Sequence, residues 1–411
     1  MIPSVHAPPV QLTIVIPALN EEQAIGQTIE RCQAAGGEIC LRTGVTRVRI
    51  VVVSDGSTDR TAAIARSFTG VDVLEFPRNQ GYGAAIKAGW SHGGGDLLGF
   101  LDADGTCDPK HFIPMCREIL ENHQDMVLGC RMTAGSRMPA LRRFGNRLFV
   151  LLLGFLARKR VRDTASGMRV VRRQALPALL PLPDGLHFTP AMSARALLDD
   201  DLKVKEIDME YHERIGRSKL HALRDGLRFL NVILSATAYI KVSRLTVPLM
   251  GLVAAASAVV VAGPALFYLR NRRLEEWMFY RVTLSGMLVT VAVSVLCATV
   301  IAEHTIALTL HRYGRFRHAT RGLWRYETLR LLVLAGCALW IAGASLNIEG
   351  VVDLLTRGQV GLHWSRVMLG AFLTIHLAQL VGTLCVLKII RALHQRQPFL
   401  HPGPPAAPGD E

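Results

Sequence analysis

The sequence lacks several features that would assign it to familiar protein classes. Its eight cysteines include no C-x-x-C pair, which argues against a zinc or disulfide framework and favours scattered thiols in a reducing compartment. No zinc-finger spacing and no aromatic-basic RNA motif is present, so nucleic acid is not an expected partner. The start, MIPSVHAPPVQL, has no basic segment followed by an apolar stretch, so we expect no cleavable signal peptide.

Acidic residues are scarce relative to basic ones. The chain has 47 Lys and Arg against 33 Asp and Glu, a net charge of +14, while 50% of its 411 residues are hydrophobic. This combination is typical of a protein held against anionic lipid. At about 150 residues per domain, the length allows about two domains.

The N-terminal half alternates short apolar strands with amphipathic helices. We predict strands at Leu12–Ile16, Val48–Val53, Val71–Phe76, Leu97–Leu101 and Met126–Gly129. Such alternation is typical of an α/β fold with a mostly parallel sheet. Ligands bind these sheets beyond the carboxyl ends of the strands.

Polar residues follow four of these strands. The first strand runs into PALNEE, where Asn20 and Gln23 resemble a helix-capping box. The next three run into SDGSTD, RNQGYG and DAD. A cap or tight turn explains any one of them, but four such endings at one edge of a sheet favour a binding site.

The fourth strand ends in two carboxylates, Asp102 and Asp104. Carboxylates so placed are typical ligands of Mg²⁺ or Mn²⁺, which complete their coordination with phosphate and water. FLDADGT also matches the opening motif of haloacid-dehalogenase-like phosphatases, with Asp102 as nucleophile, Asp104 as acid/base and Thr106 as phosphate ligand. Three strand–helix units precede the motif here, which disfavours the phosphatase because there the motif opens the fold.

The C-terminal half contains apolar runs of the length needed to span a bilayer. We predict four helical spans near residues 248–269, 282–302, 331–348 and 367–390. The arginine-rich stretch 312–330 should then be cytoplasmic, together with the N-terminal domain. The arginines of the turn 270–281 would lie outside, which the same charge rule does not explain.

Several smaller features complete the predicted organisation. Residues 218–246 form an amphipathic helix that lies in the lipid interface or packs on the domain core. The domain before it covers 11–217, the membrane domain covers 247–392, and the tails 1–10 and 393–411 are disordered. Glu303 and His304 suit an interfacial position. His376 and Gln379 suit hydrogen bonds between helices better than a transport path.

The motif order resembles that of a known enzyme family. PALNEE, VVVSDGSTDRT, RNQGYGAAIKAGW and FLDADGTCDP are similar to the motifs of inverting family-two glycosyltransferases with the GT-A fold. DTASGMRVVRR and ERIGRSKL look like the polyprenyl-phosphate branch, typified by dolichol-phosphate mannose synthase and bactoprenol glucosyltransferases. The resemblance covers roughly residues 10 to 230.

This resemblance implies a role for each matching residue. The donor nucleotide would lie along Pro17, Ala18, Asn20, Glu22, Asp55, Gly81, Lys87 and Asp102. A divalent cation would bind Asp102 and Asp104. The donor and acceptor phosphates would contact Arg131, Ser166, Arg169, Arg214, Ser218 and Lys219. The expected catalytic set is Asp102, Asp104, Arg131, Arg169 and Asp163, with Asp163 either a base or acceptor orienter or a cap of the turn before Thr164.

The implied reaction transfers a hexose from a UDP- or GDP-linked donor to an undecaprenyl or dolichyl type of phosphate. A lipid phosphate needs charge balance more than a strong base, because its second pKa is about 6. A sugar hydroxyl acceptor would need a carboxylate base, and the Gln-x-x-Arg-Trp segment of processive synthases is absent. Thr106 stands where members of this branch often have glutamine. The resemblance therefore does not identify which sugar the donor carries.

The sequence thus predicts a multi-pass membrane enzyme with a cytoplasmic GT-A domain, as in a bacterial inner membrane. Its partners would be a nucleotide sugar, a polyprenyl phosphate and membrane lipids, and a homo-oligomer is compatible with the sequence. Two alternatives remain open. One is transfer to a hydroxyl of a lipid or polysaccharide, and the other is a transporter or scaffold that binds nucleotide sugar without turnover.

Overall fold

Seven strands form one sheet in the N-terminal part of the chain. The computed structural model describes residues 9–133, 136, 138–215, 222–310, 326–359 and 361–400. The strands are β1 (Val10–Ala18), β2 (Val45–Asp55), β3 (Val71–Phe76), β4 (Leu97–Leu101), β5 (Met126–Cys130), β6 (Met168–Arg172) and β7 (Val204–Asp208). Their order in the sheet is β3-β2-β1-β4-β6-β5-β7.

The pairing confirms the predicted mostly parallel α/β sheet. Only β6 runs antiparallel to its neighbours, β4 and β5, among the described strands. The five predicted strands are all present, whereas β6 and β7 were not predicted. Strand β4 is buried on both faces, which explains its uninterrupted apolar sequence LLGFL.

Helices cover both faces of this sheet. They are α1 (Ile25–Arg42), α2 (Thr61–Arg66), α3 (Tyr82–Gly93), α4 (Phe112–Glu121), α5 (Ala140–Ala157), α6 (Leu176–Leu179), α7 (Phe188–Leu198) and α8 (Ala222–Ile240). Helices α1 and α4 contribute Ile29 and Phe112 to the core on one face. Helices α3 and α7 contribute Trp90 and Phe188 on the other.

The predicted capping box at Asn20 is wrong. Helix α1 begins at Ile25, and its N-cap position is Ala24. Asn20 instead has a φ of 48°, and its Oδ1 accepts a hydrogen bond of 2.8 Å from the Thr58 amide. Asparagine tolerates this left-handed conformation better than most residues, so the turn after β1 uses it there rather than at a helix start.

Helix α8 was predicted either to lie in the lipid interface or to pack on the domain core, and it has features of both. Phe229 and Ile233 are buried, and the Phe229 ring contacts that of Phe149 with centroids 5.9 Å apart. Leu227 and Leu234 of the same helix are exposed. One face therefore packs on the domain, and another leaves leucines uncovered.

The described residues fall into two compact units, one up to Thr237 and one from Ala238 onward. The second unit is helical, with α9 (Ser243–Asn271), α10 (Met278–Leu310), α11 (Tyr326–Ser345), α12 (Ile348–Arg357) and α13 (Trp364–Leu400). Three helical segments in the described part are long and apolar enough to cross a membrane: Ser243–Asn271, Met278–Ile306 and Trp364–Ile390.

The third predicted span is less regular than the others. It falls in α11 and α12, which are bent by 44° at a short break and count as a fourth span only if taken together. Most of the arginine-rich stretch that was predicted to be cytoplasmic lies outside the described residues. The finding is therefore three candidate spans, or up to four with the bent pair.

Polar side chains of the second unit bond between helices. Gln379 donates to the Ser294 hydroxyl at 2.8 Å, and His376 Nε2 lies 3.4 Å from the Thr290 hydroxyl. These contacts confirm the predicted inter-helix hydrogen bonding. Glu303 accepts a hydrogen bond from the backbone amide of Ser243 at 3.1 Å, so its carboxylate is used within the unit.

Candidate active site

A cavity of about 510 Å³ opens where the strands end. Residues after β1, β2 and β4 line it, because the carboxyl ends of parallel strands meet at one edge of the sheet. Both charge types line the cavity among the described residues: the carboxylates Glu21, Asp55, Asp102 and Asp104, and the arginines Arg131, Arg142, Arg214 and Arg228.

Asp104 is held by its own turn. Its Oδ1 accepts hydrogen bonds from the Thr106 amide at 3.1 Å and the Thr106 hydroxyl at 2.6 Å. Gly105 between them has a φ of 73°, which a residue with a side chain rarely adopts. Thr106 is buried, so the residue at the expected glutamine position orients the Asp104 carboxylate instead of facing the cavity.

Asp102 is held from two sides. The Tyr82 hydroxyl donates to its Oδ1 at 2.6 Å. On the other side lies Gly167, where an added Cβ would overlap the Asp102 carboxylate. Gly167 comes from the SGMR motif, so that motif needs glycine there because the backbone passes directly against an aspartate.

The two carboxylates make the site favourable for a cation. Burial, and then the negative charge of Asp104, raise the pKa of Asp102 to about 7. Oxygen donors of this kind suit a hard divalent cation. No group of three or more His, Cys, Asp or Glu side chains could hold a metal in the described part of the chain. A cation at Asp102 and Asp104 would therefore need further oxygens from phosphate or water.

Arg131 lines the cavity, and the Asp163 carboxylate holds its guanidinium in place. Two guanidinium nitrogens donate to the Asp163 carboxylate at 2.7 and 2.9 Å. The Arg131 and Ala165 amides also donate to it, at 3.1 Å each. Burial opposes ionisation of Asp163, but the charge of Arg131 and these hydrogen bonds hold its pKa below the usual value. The buried Asp163 carboxylate thus has four donors and does not line the cavity.

Ser166 and Arg169, both predicted to contact phosphate, do not line the cavity. Arg169 is fully buried and donates to the backbone carbonyls of Ser166 at 3.2 Å and Thr164 at 3.0 Å. Burial lowers its pKa to about 10. Arg169 therefore supports the loop that carries Ala165 and Gly167 into the cavity wall.

Arg214 connects two cavity carboxylates. Its guanidinium lies 2.7 Å from Glu21 Oε1 and 3.0 Å from Asp104 Oδ2. The structure thus brings Arg214 into contact with Asp104, from which it is 110 residues away along the chain. Ser218 and Lys219, the other predicted phosphate contacts of this segment, lie outside the described residues.

The residues predicted to bind the nucleotide divide into two groups. Pro17, Ala18, Asp55 and Gly81 line the cavity, and Asp55 accepts the Gln80 and Gly81 amides at 2.6 and 2.9 Å. Asn20, Glu22 and Lys87 are absent from the cavity wall. Glu22 accepts from the Arg60 amide at 3.2 Å, and Lys87 lies 2.6 Å from Asp184 Oδ1 and 2.9 Å from the Leu182 carbonyl.

Several lining residues were missed by the sequence reasoning. They are polar (Tyr82, Arg142, Tyr211 and Arg228) and apolar (Met138, Leu141, Phe149, Leu186 and Phe229). Tyr82 lies inside the quoted RNQGYG motif, where its hydroxyl was an available signal. The apolar set had no such signal, because helices α5 and α8 and the loop residues Met138 and Leu186 reach the cavity only through tertiary packing.

Comparison with known proteins gives one family and a set of relatives. The family model described as "Glycosyl transferase family 2" matches residues 13–180. The chain is 34% identical over 227 residues to the low-salt glycan biosynthesis hexosyltransferase Agl6 of Haloferax volcanii, a match covering 54% of this chain and 53% of Agl6. It is 33% identical over 221 residues to a dolichyl-phosphate hexose transferase of the same organism, covering 52% of this chain and 89% of that enzyme.

Solved structures share a distant likeness. Glucosyl-3-phosphoglycerate synthase from Mycobacterium tuberculosis, solved with Mn²⁺, UDP and phosphoglyceric acid, is 21% identical. The match covers 55% of this chain and 78% of that one, with a TM-score of 0.43. The chain also spans only about half the length of Agl6, at 53%.

Proposed function

The chain belongs to glycosyl transferase family 2, and from that premise we propose that it transfers a hexose from a nucleoside-diphosphate sugar to a polyprenyl phosphate. The relative named as a dolichyl-phosphate hexose transferase supports this acceptor class. The reaction inverts the anomeric carbon, as the resemblance in its motifs implies. The product is a polyprenyl-phosphate sugar for glycosylation reactions.

One observation carries the proposal most strongly. The carboxylate pair Asp102 and Asp104 lies in the same cavity as Arg131 and Arg214. The pair suits a cation with a diphosphate, and the arginines suit further phosphate oxygens. A donor diphosphate and an acceptor phosphate together need both kinds of group, whereas a binding domain without turnover needs only the first.

Asp102 and Asp104 are the residues that would hold Mg²⁺ or Mn²⁺. A cation bound there supplies positive charge that stabilises the leaving nucleoside diphosphate. Pro17, Ala18 and Asp55 form the wall nearest the strand ends and contact the nucleotide. Tyr82 and Gly167 keep the Asp102 carboxylate in place for this role.

The acceptor phosphate attacks the anomeric carbon directly. A phosphate oxygen forms the new bond to carbon, and the bond from that carbon to the donor β-phosphate oxygen breaks. The electron pair leaves with the nucleoside diphosphate. No proton has to be removed, since the lipid phosphate is already anionic with a second pKa of about 6. Arg131 orients the acceptor, and Asp163 positions Arg131 rather than acting as a base.

The lining carboxylates support a phosphate acceptor over a hydroxyl. Glu21 and Asp104 contact Arg214, and Asp55 accepts two backbone amides. Asp102 accepts from Tyr82 and belongs to the cation pair. A hydroxyl acceptor requires a carboxylate positioned to take its proton. In the proposed complex Asp102 and Asp104 would hold the cation, while Glu21 and Asp55 are held by Arg214 and by two backbone amides.

The apolar helices support a reaction at a membrane. Three segments of the described chain are long and apolar enough to cross a bilayer, and a polyprenyl chain resides in that bilayer. We propose that the catalytic unit faces the cytoplasm, where nucleotide sugars are made, and that the exposed leucines of α8 meet lipid.

The proposal is tested on the full-length protein extracted into detergent. The protein is incubated with labelled nucleotide sugars, Mg²⁺ or Mn²⁺, and a polyprenyl phosphate, and the lipid phase is analysed. We expect a labelled lipid that mild acid hydrolyses, lost in Asp104→Asn and retained in Asp108→Asn. Asp108 is a matched control because it caps a neighbouring turn through the Lys110 amide, a bond that asparagine preserves.

Two results would contradict the proposal. Transfer of sugar only to hydroxyl acceptors would favour a polysaccharide or glycolipid synthase. Release of inorganic phosphate from a phosphoester, without sugar transfer, would favour the phosphatase interpretation of the LDADGT segment.

A further inference from the structure

Helix α5 exposes a continuous apolar stripe. Five large side chains recur at alternating three- and four-residue steps, and each is 57 to 70% exposed: Leu141, Phe144, Leu148, Leu151 and Phe155. This spacing puts them on one face of the helix. Isolated exposed leucines are ordinary on a protein surface, but a run of five marks a contact surface.

The stripe is not part of the domain core. The core side of α5 is formed by a different set of residues, which includes the buried Asn146, Leu153 and Leu156. At about 100° per residue, this set lies on the side of the helix opposite the stripe. Helix α5 is therefore apolar on two faces, and only one of them is covered by its own unit.

The stripe leads directly into the cavity. Leu141, its first member, also lines the cavity, as does Phe149 from the adjoining part of the same helix. Phe149 contacts Phe229 of α8, another lining residue. An apolar path thus runs along the outside of α5 and continues through Leu141 to the wall that faces Asp102 and Arg131.

Charge next to the stripe favours anionic lipid as its occupant. Helix α5 contains three arginines and no acidic residue. Arg147 is exposed beside the stripe, and exposed Arg158 and Arg160 follow the end of the helix. Basic residues beside an apolar helix face are typical of binding to anionic bilayers. A second copy docked on the same stripe would bring these arginines together with no acid on α5 to pair them.

We propose that the outer face of α5 is a bilayer-docking surface that opens the cavity to the hydrocarbon at Leu141. The stripe lies in the headgroup–acyl boundary of an anionic membrane, with its arginines at the phosphates. The lipid acceptor then reaches Arg131 along an apolar wall without crossing water. The docking itself does not depend on the reaction, whereas the entry route for the acceptor rests on the proposed function.

The docking is tested with a nitroxide label on the full-length protein in nanodiscs that contain phosphatidylglycerol. The label is attached at Leu151→Cys, and the control label at Leu41→Cys, an exposed residue on α1. Both use a background in which the accessible cysteines are replaced by serine: Cys40, Cys297, Cys337 and Cys385. We expect oxygen to collide with the label at 151 more often than a water-soluble nickel complex does, and the reverse at 41.

Two results would overturn the docking surface. Nickel access at 151 equal to that at 41 would show a face in water. Dipolar broadening between labels at 151 on two molecules would show a second copy on the stripe. A lipid-exposed label in a protein that makes no polyprenyl-phosphate sugar supports the docking and refutes the proposed function alone.

The entry route has its own readout. The double variant Leu148→Gln with Leu151→Gln should lose severalfold in kcat/KM for a long polyprenyl phosphate presented in nanodiscs. It should keep its kcat/KM for a short, water-soluble isoprenyl phosphate, and Leu41→Gln should change neither. Equal losses for both acceptors, or no loss for the long one, would contradict entry along α5.

Discussion

The two units of the chain bury polar groups of different kinds. In the N-terminal unit the buried groups include charges, such as Asp163, Asp104 and Arg169. In the C-terminal unit the buried polar side chains that bond between described helices include the neutral pair Ser257 and Ser285, whose hydroxyl oxygens lie 2.7 Å apart, whereas the ion pair between Arg366 and Glu349 is exposed. Buried charges are costly to desolvate, so their concentration at the strand ends indicates a site, while the neutral bonds indicate helix packing.

This difference predicts different penalties for removing a polar group. Breaking a buried ion pair costs about 3–5 kcal/mol because the remaining charge is left uncompensated. Hydrogen bonds between membrane helices contribute on average about 0.6 kcal/mol. Variants in the two units should therefore separate clearly in both activity and stability.

The largest effect on turnover is expected for Asp104→Asn. The variant keeps the shape of the side chain but removes the charge that pairs with Arg214 and that would pair with the proposed cation. Loss of one preorganised electrostatic contact typically lowers kcat by about 100- to 1,000-fold. Initial rates of lipid-linked product at saturating donor measure this, and a rate within a factor of two or so of the parent would refute the assignment.

The largest effect on stability is expected for Arg131→Gln. Asp163 would remain buried without its guanidinium partner, which should cost about 3–5 kcal/mol. Denaturant unfolding of the detergent-solubilised protein measures this loss. Arg131→Gln combined with Asp163→Asn should recover part of the stability but not the activity, and recovery of both would contradict a role for Arg131 at the acceptor.

A smaller effect is expected for Tyr82→Phe. The variant keeps the ring packed against Phe100 and Phe188 but removes the hydrogen bond to Asp102. Groups that orient a metal ligand typically change metal affinity about 10- to 100-fold, so we expect weaker Mn²⁺ binding in calorimetry with UDP present. Tyr211→Phe, which removes a hydroxyl from the same cavity, is the control. Equal Mn²⁺ affinity in the two variants would contradict a positioning role for Tyr82.

The pH dependence of the folding stability should report on the Asp102 carboxylate. Burial and the charge of Asp104 raise the pKa of Asp102 to about 7 in the folded chain. The folded state therefore binds this proton more tightly than the unfolded state, and stability from Asp102 is lost as pH rises from the unfolded value of about 4 to about 7. A cation offsets the loss, so Mn²⁺ should raise the unfolding temperature more at about pH 8 than at about pH 6. The opposite order would contradict a cation at this pair.

The smallest effect is expected in the C-terminal unit. Gln379→Leu removes the bond to Ser294 and should cost about 0.6 kcal/mol. Turnover in nanodiscs should remain at the parent level, as checked with the product assay used for Asp104→Asn. A loss of activity comparable to that of the Tyr82 variant would mean that the polar contacts between these helices take part in the reaction.

The sheet and the carboxylate pair were predictable because their signals are local. An apolar run followed by polar residues predicts both a strand and its exposed end, and β3 and β4 have the predicted bounds. The start of α1 was not predictable in the same way. Asn20 suits a helix cap and a left-handed turn equally well, and only the contact with Thr58 decides between them.

The roles of the basic residues required tertiary structure. Arg131 and Arg169 both follow from the same motif resemblance, yet only Arg131 lines the cavity. Arg169 pairs with Phe100 across β4 and β6, and this register turns its side chain toward the buried layer that contains Phe100. A sequence motif predicts which residues gather at a site, but strand register decides which side chains face the ligand.

Isotope labelling of the donor tests the central claim most directly. The nucleotide sugar carries ¹⁸O at the oxygen that joins the anomeric carbon to the β-phosphate, and both products are analysed by mass spectrometry. If the lipid phosphate attacks the anomeric carbon, the ¹⁸O leaves with the nucleoside diphosphate and the lipid-linked sugar contains none. Recovery of ¹⁸O in the lipid product would mean that a phosphorus–oxygen bond breaks instead, and would contradict a glycosyl transfer at Asp102 and Asp104.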